Sequence, residues 1–169
     1  MLLTQIPIFV YGTLRSDGPN AHLIKPYTTV CRPAEVRGAL HYVDYVDDQD
    51  APGRTVTYSP EGDSRVEGEL LTWAPHCSLS TLAQLDSKEL NFGRQGPPPR
   101  GSRCVFVRQL ILVTSDDEAP LMAWTYVLAS AREGLGPRVQ AGTDGIVRYT
   151  RPQRASSRHG AHVALEGFA

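Results

Sequence analysis

An apolar run, Ile6 to Val10, stops abruptly at Tyr11-Gly12, and a polar, turn-rich segment, Arg15 to Asn20, follows it. This boundary constrains the fold more than any other stretch. Aromatic and β-branched residues in so short a run suit a buried strand better than a helix. Glycine after the strand provides a sharp exit, or a place where something approaches the backbone closely. Backbone N–H groups just past such a turn are not yet committed to a ladder. If they point into a cavity, they form a donor nest for a carboxylate or a developing oxyanion. Taken alone, the stretch reads as an ordinary strand-to-loop turn, and the rest of the chain decides.

The rest is mostly strand-patterned. Arg15 to Pro33 reads as a loop with a short helical turn around Asn20 to Ile24, capped by Asn20 and ended by Pro26. Ala34 to Tyr45 reads as a strand. Val36, Gly38, Leu40 and Tyr42 alternate on one face, and Gly38 marks close backbone contact or a bulge. Thr55 to Tyr58 is a short strand, Pro60 to Asp63 a turn, and Val66 to Trp73 a further strand. The period then changes: Ser78 or Ser80 is a credible N-cap, and Leu79, Leu82 and Leu85 recur at helical spacing, predicting a helix over about 79–90. Asp86 and Glu89 share a face at its C-terminal end, where each opposes the helix macrodipole at a cost of roughly 0.3–1 kcal/mol. Acids stand there on a solvated surface, or because they have a task. Asn91 to Ser102 is a Gly/Pro-rich loop. Cys104 to Val113 is the strongest strand, turning through Asp116-Asp117-Glu118 into a hairpin partner, Leu121 to Ala129. One domain over 1–150 follows, with a polar tail over 151–169.

Composition narrows the function classes. With 41% hydrophobic and 21% charged residues in 169, the chain has the balance of a soluble domain long enough for a real core. A net charge of -1 gives no global pull toward nucleic acid or anionic membrane. No stretch is apolar enough to span a bilayer. The apolar start lacks a basic leader pattern and reads as the first strand. Three cysteines at no recognisable spacing imply no disulfide framework, and the expected compartment is the cytoplasm.

Several features, in order, resemble the γ-glutamylcyclotransferase-like superfamily. They are Phe9-Val10-Tyr11-Gly12-Thr13-Leu14-Arg15, Val36 to Tyr42, Val66-Glu67-Gly68-Glu69-Leu70, the helix end Leu85-Asp86-Ser87-Lys88-Glu89, Phe106-Val107-Arg108, and Trp124-Thr125-Tyr126. The resemblance implies an α+β fold, a compact mixed β-barrel with a few surrounding helices. It also implies a cofactor-free and metal-free reaction on a small-molecule γ-glutamyl substrate. In that reaction the α-amino group attacks the γ-carbonyl of its own glutamyl unit, closing 5-oxoproline and expelling an amine. Glu89 matches the carboxylate that shuttles the proton, a task that burial favours by raising the carboxyl pKa. Backbone amides of Tyr11, Gly12, Thr13 and Leu14 match the glutamyl and oxyanion site. Tyr42 and Tyr126 are further candidates for contact with substrate. Asp86 is expected to position the helix end, Arg108 to pair with a carboxylate, and Glu69 is the rival acid. It shares strand parity with Glu67 and Leu71, so only one of the two β faces there is core.

The chain departs from the family pattern at Thr13, where many relatives carry serine, and after Glu89, where Leu90 and Asn91 replace a glycine. These departures bear on the leaving group. They leave open a binding or regulatory module on the same fold, and an altered amide chemistry. Other constellations fail. His76-Cys77 are sequence neighbours whose side chains diverge, His159 and His162 lack further metal ligands, and Ser16-Asp17-Gly18 is not a P-loop. The arginines from Arg132 to Arg158 read as a solvated basic segment, with no nucleic-acid partner expected.

Overall fold

In a computed structural model the described residues are 6–46, 52–90, 106–115, 118–128 and 135–150, with 87–90 described for the backbone alone. The elements in chain order are β1 (Ile8–Val10), α1 (Ala21–Ile24), a 3-10 turn (Lys25–Tyr27), β2 (Thr28–Val46), β3 (Pro52–Trp73), α2 (Leu79–Leu90), β4 (Phe106–Ser115), β5 (Glu118–Leu128) and β6 (Ile146–Val147). The sheet order is β1-β5-β4-β2-β3-β6, and β1 also pairs with β3, so the sheet closes into a ring with β6 added outside β3. The pairing is mixed: β1–β5 and β3–β6 run parallel, the others antiparallel. This is the closed α+β architecture that the resemblance implied.

Both faces of β1 are buried, which explains the unbroken apolar run at the start of the chain. Phe9 and Tyr11 join Val36, Leu40, Val66, Leu70, Ile111 and Val113 inside the ring. Ile8 and Val10 point the other way, into a second core with Ile24, Leu71, Trp73, Leu82, Leu85 and Phe106. Period-2 alternation in a short strand therefore sends successive hydrophobes into two cores. Leu82 and Leu85, at helical spacing, seat α2 in the second. Ser78 caps that helix: its Oγ accepts the Thr81 N–H at 3.4 Å, and Thr81 Oγ1 accepts the Ser78 N–H at 3.3 Å. This is a reciprocal cap with threonine in the usual Glu/Gln place.

Three local expectations are corrected. The loop ends at Tyr27 rather than Pro33, because β2 already begins at Thr28. Pro33 sits within it opposite Glu69. On its other side β2 meets β4 only at Glu35↔Thr114, so the missing proline N–H leaves no rung unfilled there. Pro60 to Asp63 does not separate two strands. Gly38 faces Ser64 and Ala39 faces Ser59, so those four residues bulge out of one continuous β3. Asn20 occupies the N-cap of α1 without a side-chain cap bond, since its amide donates to Thr13 Oγ1 at 3.2 Å instead. Pro26 lies inside the 3-10 turn that continues α1. The 91–102 loop, the Asp116-Asp117 part of the turn and the 151–169 tail lie outside the described residues.

Gly38 is the pivot of the bulge, with φ at +149°. A Cβ there would meet the Ser59 carbonyl oxygen at 2.3 Å and the Tyr58 ring at 2.5 Å. Gly38→Ala is accordingly expected to cost about 1–3 kcal/mol, read as a lower urea midpoint with an unchanged denaturant slope.

Candidate functional site

The end of β1 opens into a cleft. Its wall is the stretch Phe9 to Leu14, with Thr55 and Val56 of β3, Phe106 of β4, and Thr125 and Tyr126 of β5. The cavity volume is about 30 Å³, space for the reacting end of a ligand rather than for a whole one. Four of the predicted binding positions, Tyr11, Gly12, Thr13 and Leu14, lie side by side in this wall, and Tyr126 faces them from β5. A Cβ on Gly12 would stand 3.4 Å from Val56 Cγ2, another wall residue, so a bare backbone keeps the cleft clear.

The backbone beyond Gly12 is held by its carbonyls. Gly12 O accepts the Arg15 N–H at 3.1 Å, and Thr13 O accepts the Asn20 N–H at 2.9 Å. The N–H groups of Gly12, Thr13 and Leu14 donate to no acceptor among the described residues. Three consecutive N–H groups of the wall are thus left without a protein acceptor among the described residues. Acids on the outward face of β3 fix the loop that carries them. The Ser16 N–H and hydroxyl donate to the Glu69 carboxylate at 2.7 and 2.6 Å. Arg15 Nη1 and Arg148 Nε donate to Glu67 at 3.3 and 2.7 Å. Glu69, the rival acid, is thus a loop anchor, while Val66, Gly68 and Leu70 take the buried face of β3.

Tyr11 contributes its backbone to the cleft and its ring to the core. Its hydroxyl donates to the Tyr126 carbonyl and accepts the Tyr58 N–H at 2.9 Å. Thr125 Oγ1 donates to Phe9 O at 2.9 Å, and Thr57 Oγ1 accepts the Leu128 N–H at 2.8 Å. These hydroxyls satisfy backbone groups that the curved ladder leaves open. The Tyr126 hydroxyl donates to Asp86 Oδ1 at 2.8 Å, and Arg108 Nη2 pairs with Asp86 Oδ2 at 3.2 Å, the carboxylate pairing expected of Arg108.

Tyr42 is placed elsewhere. It packs against the ring interior from β2 with the Arg54 guanidinium 5.3 Å over its ring, and it does not line the cleft. Glu89 lies on the last turn of α2, and its side chain is outside the described residues. Thr55, Val56 and Phe106 line the cleft without having been singled out as binding residues. The sequence signal for Thr55 is a polar residue in a strand, 3% exposed, that alternation alone does not distinguish from a surface threonine. No group of three or more His, Cys, Asp or Glu suited to a metal ion occurs among the described residues, and no helix there is long and apolar enough to cross a membrane.

The sequence matches the gamma-glutamyl cyclotransferase, AIG2-like family over residues 8–144. The chain belongs to that family. Family membership points to cyclotransferase-type activity on a small molecule. Similar solved structures include YkqA from Bacillus subtilis, with 22% identity over 73% of this chain and 36% of that one and a TM-score of 0.46. The chain therefore spans about a third of the YkqA length. PH0828 from Pyrococcus horikoshii has 17% identity, 79% and 85% coverage, and a TM-score of 0.44. An AIG2-like protein from Mus musculus has 18% identity, 88% and 98% coverage, and a TM-score of 0.43. No curated protein matches the chain.

Removing the Tyr11 hydroxyl strands two buried backbone groups, the Tyr126 carbonyl and the Tyr58 N–H. Tyr11→Phe is expected to lose about 1–3 kcal/mol of stability, measured by urea unfolding, because both orphans lie in the core.

Proposed function

We propose that this family member is a cyclotransferase that releases 5-oxoproline from a γ-glutamyl amine, amide or peptide. The observation that carries this reading is the row Gly12, Thr13 and Leu14. These residues line the cleft, and their N–H groups donate to no acceptor among the described residues. An acyl-transfer oxyanion needs donors fixed in advance and aimed where charge develops, and each such donor is worth about 2.7–4 kcal/mol in other oxyanion holes.

The reaction is intramolecular. The α-amine nitrogen, after losing a proton, bonds to the γ-carbonyl carbon, and the carbonyl oxygen takes up charge against the N–H row. The tetrahedral intermediate then collapses, the bond to the leaving nitrogen breaks, and that nitrogen receives a proton. One carboxylate serves both transfers, and Glu89 is the residue to which we assign it. No side-chain nucleophile is needed, because holding the folded-back conformer supplies the effective concentration. The narrow cleft supports this reading, since a small volume suits the compact glutamyl end of such a substrate.

Incubation with γ-glutamyl amines and γ-glutamyl dipeptides, followed by detection of 5-oxoproline, tests the reaction. Glu89→Gln is expected to lower kcat by about 10²-fold or more with the fold intact by circular dichroism. Retention of full rate in that variant removes Glu89 from the chemistry, and no 5-oxoproline from any such compound removes the reaction itself.

A further inference from the structure

The end of α2 is tied to the sheet by a charged cluster that the proposed chemistry does not itself use. Asp86 holds the Tyr126 hydroxyl on one oxygen and Arg108 on the other. The guanidinium of Arg108 lies over the Trp124 ring at 4.9 Å from its centroid. Its side chain is 17% exposed, and Nη1 is buried with no hydrogen-bond partner among the described residues. This arrangement is poor at stabilising a fold. A cation largely withdrawn from water, with a donor unmet, loses hydration that one partner carboxylate does not fully return. An apolar side chain of similar length would cover Trp124 without that loss.

The cluster does have a geometric effect. It joins α2, one turn before its end, to β4 and to Tyr126 in the cleft wall. Glu89 follows Asp86 by three residues on the same helix, one turn further toward its end. We propose that Arg108 is a positioning residue: by gripping Asp86 it fixes the last turn of α2 against the cleft wall, where the acid of that turn meets the substrate. The inference rests on the assignment of the proton shuttle to Glu89.

The test compares Arg108→Met, Arg108→Lys and Tyr126→Phe with the wild-type chain, using thermal melting, steady-state kinetics on a γ-glutamyl amine, and backbone amide exchange along α2. Arg108→Met is expected to fold but to melt below wild type, because methionine covers Trp124 while Asp86 keeps only the Tyr126 hydroxyl as partner. Its kcat falls by about tenfold or more while KM stays within about twofold, the mark of a displaced reacting group. Amide exchange over the last turn of α2 rises by about tenfold and is unchanged over its first turn. Arg108→Lys keeps the charge but not the planar stack, and recovers part of kcat.

Unchanged kcat in folded Arg108→Met overturns the proposal, as does a rise in KM with kcat held, which would place Arg108 on the substrate. Should the methionine variant not fold, Tyr126→Phe, which removes the hydroxyl bond to Asp86, decides through exchange: faster exchange over the last turn of α2 together with a fall in kcat supports the tether, and unchanged exchange there overturns it. Exchange separates this inference from the one beneath it. A wild-type chain without turnover, whose helix end nevertheless loosens in Arg108→Met, removes the chemistry and keeps the tether. An unchanged exchange pattern removes the tether whatever the chemistry.

Discussion

Everything in this molecule depends on the double pairing of β1. The strand is three residues long, Ile8 to Val10, yet it closes the ring by pairing antiparallel with β3 and parallel with β5. A closed sheet has no exposed edge at that seam, and the seam is short enough that side chains must help. Trp73 Nε1 donates to Ile6 O at 2.7 Å, the Trp124 N–H donates to Pro7 O at 2.8 Å, and Thr125 Oγ1 donates to Phe9 O. Three of the four carbonyls from Ile6 to Phe9 are thus tied to a neighbouring strand, one through an indole and one through a hydroxyl. Gly68, opposite the same strand, must be bare: a Cβ there would stand 2.5 Å from the Phe9 ring and from Val10 O. The seam is tight because glycine lets two backbones and an aromatic ring share one layer.

The same seam makes the site. Once β1 is pinned to β3 through Val10 and to β5 at Ile8, the chain leaves the ladder at Tyr11 with its direction set. The next three amides emerge at the cleft before any regular structure can claim them. Their carbonyl partners, and the acids Glu67 and Glu69, hold the loop from behind. A donor row of this kind works only if it is rigid before the substrate arrives, since reorganisation at the moment of reaction would consume its advantage. The closure of the sheet fixes the start of this stretch, so under the proposed reaction the first strand would serve both the fold and the chemistry.

Much of this was legible in the sequence, and what was not has a physical reason. The leucine spacing and the serine before it mark α2 from Leu79 to Leu90, because a capped amphipathic helix carries both its period and its punctuation locally. Gly38 was legible as a bulge for the same reason. The start of β2 was not, since Pro33 reads as a breaker and only the near absence of pairing with β4 at that point makes proline harmless. The anchoring roles of Glu67 and Glu69 were equally hidden: parity put them on the outward face, but nothing local says that the loop after β1 returns to lie on it. Tyr42 was offered as a site residue through its place in a family motif. The register carries it past the bulge to a wall of the ring that the cleft does not reach. Local chemistry is written in the sequence, and the meeting of β1 with β3 and β5 is long-range information.

The two groups of acids illustrate how the fold sorts identical chemistry. Glu67 and Glu69 sit on a strand in a half-exposed row, where arginines and a backbone N–H meet their charge. Asp86 sits at the C-terminal end of a helix, where the macrodipole makes a carboxylate less favourable. Arg108 offsets that disadvantage directly, and the Tyr126 hydroxyl adds a hydrogen bond to the same group. An acid that must exchange protons near neutrality benefits from a setting that disfavours its charge, and a helix C-terminus is such a setting. On this ground the end of α2 is a better place for a proton shuttle than the well-compensated row on β3. Arg108 and the Tyr126 hydroxyl thus meet the charge that Asp86 brings to this end of the helix.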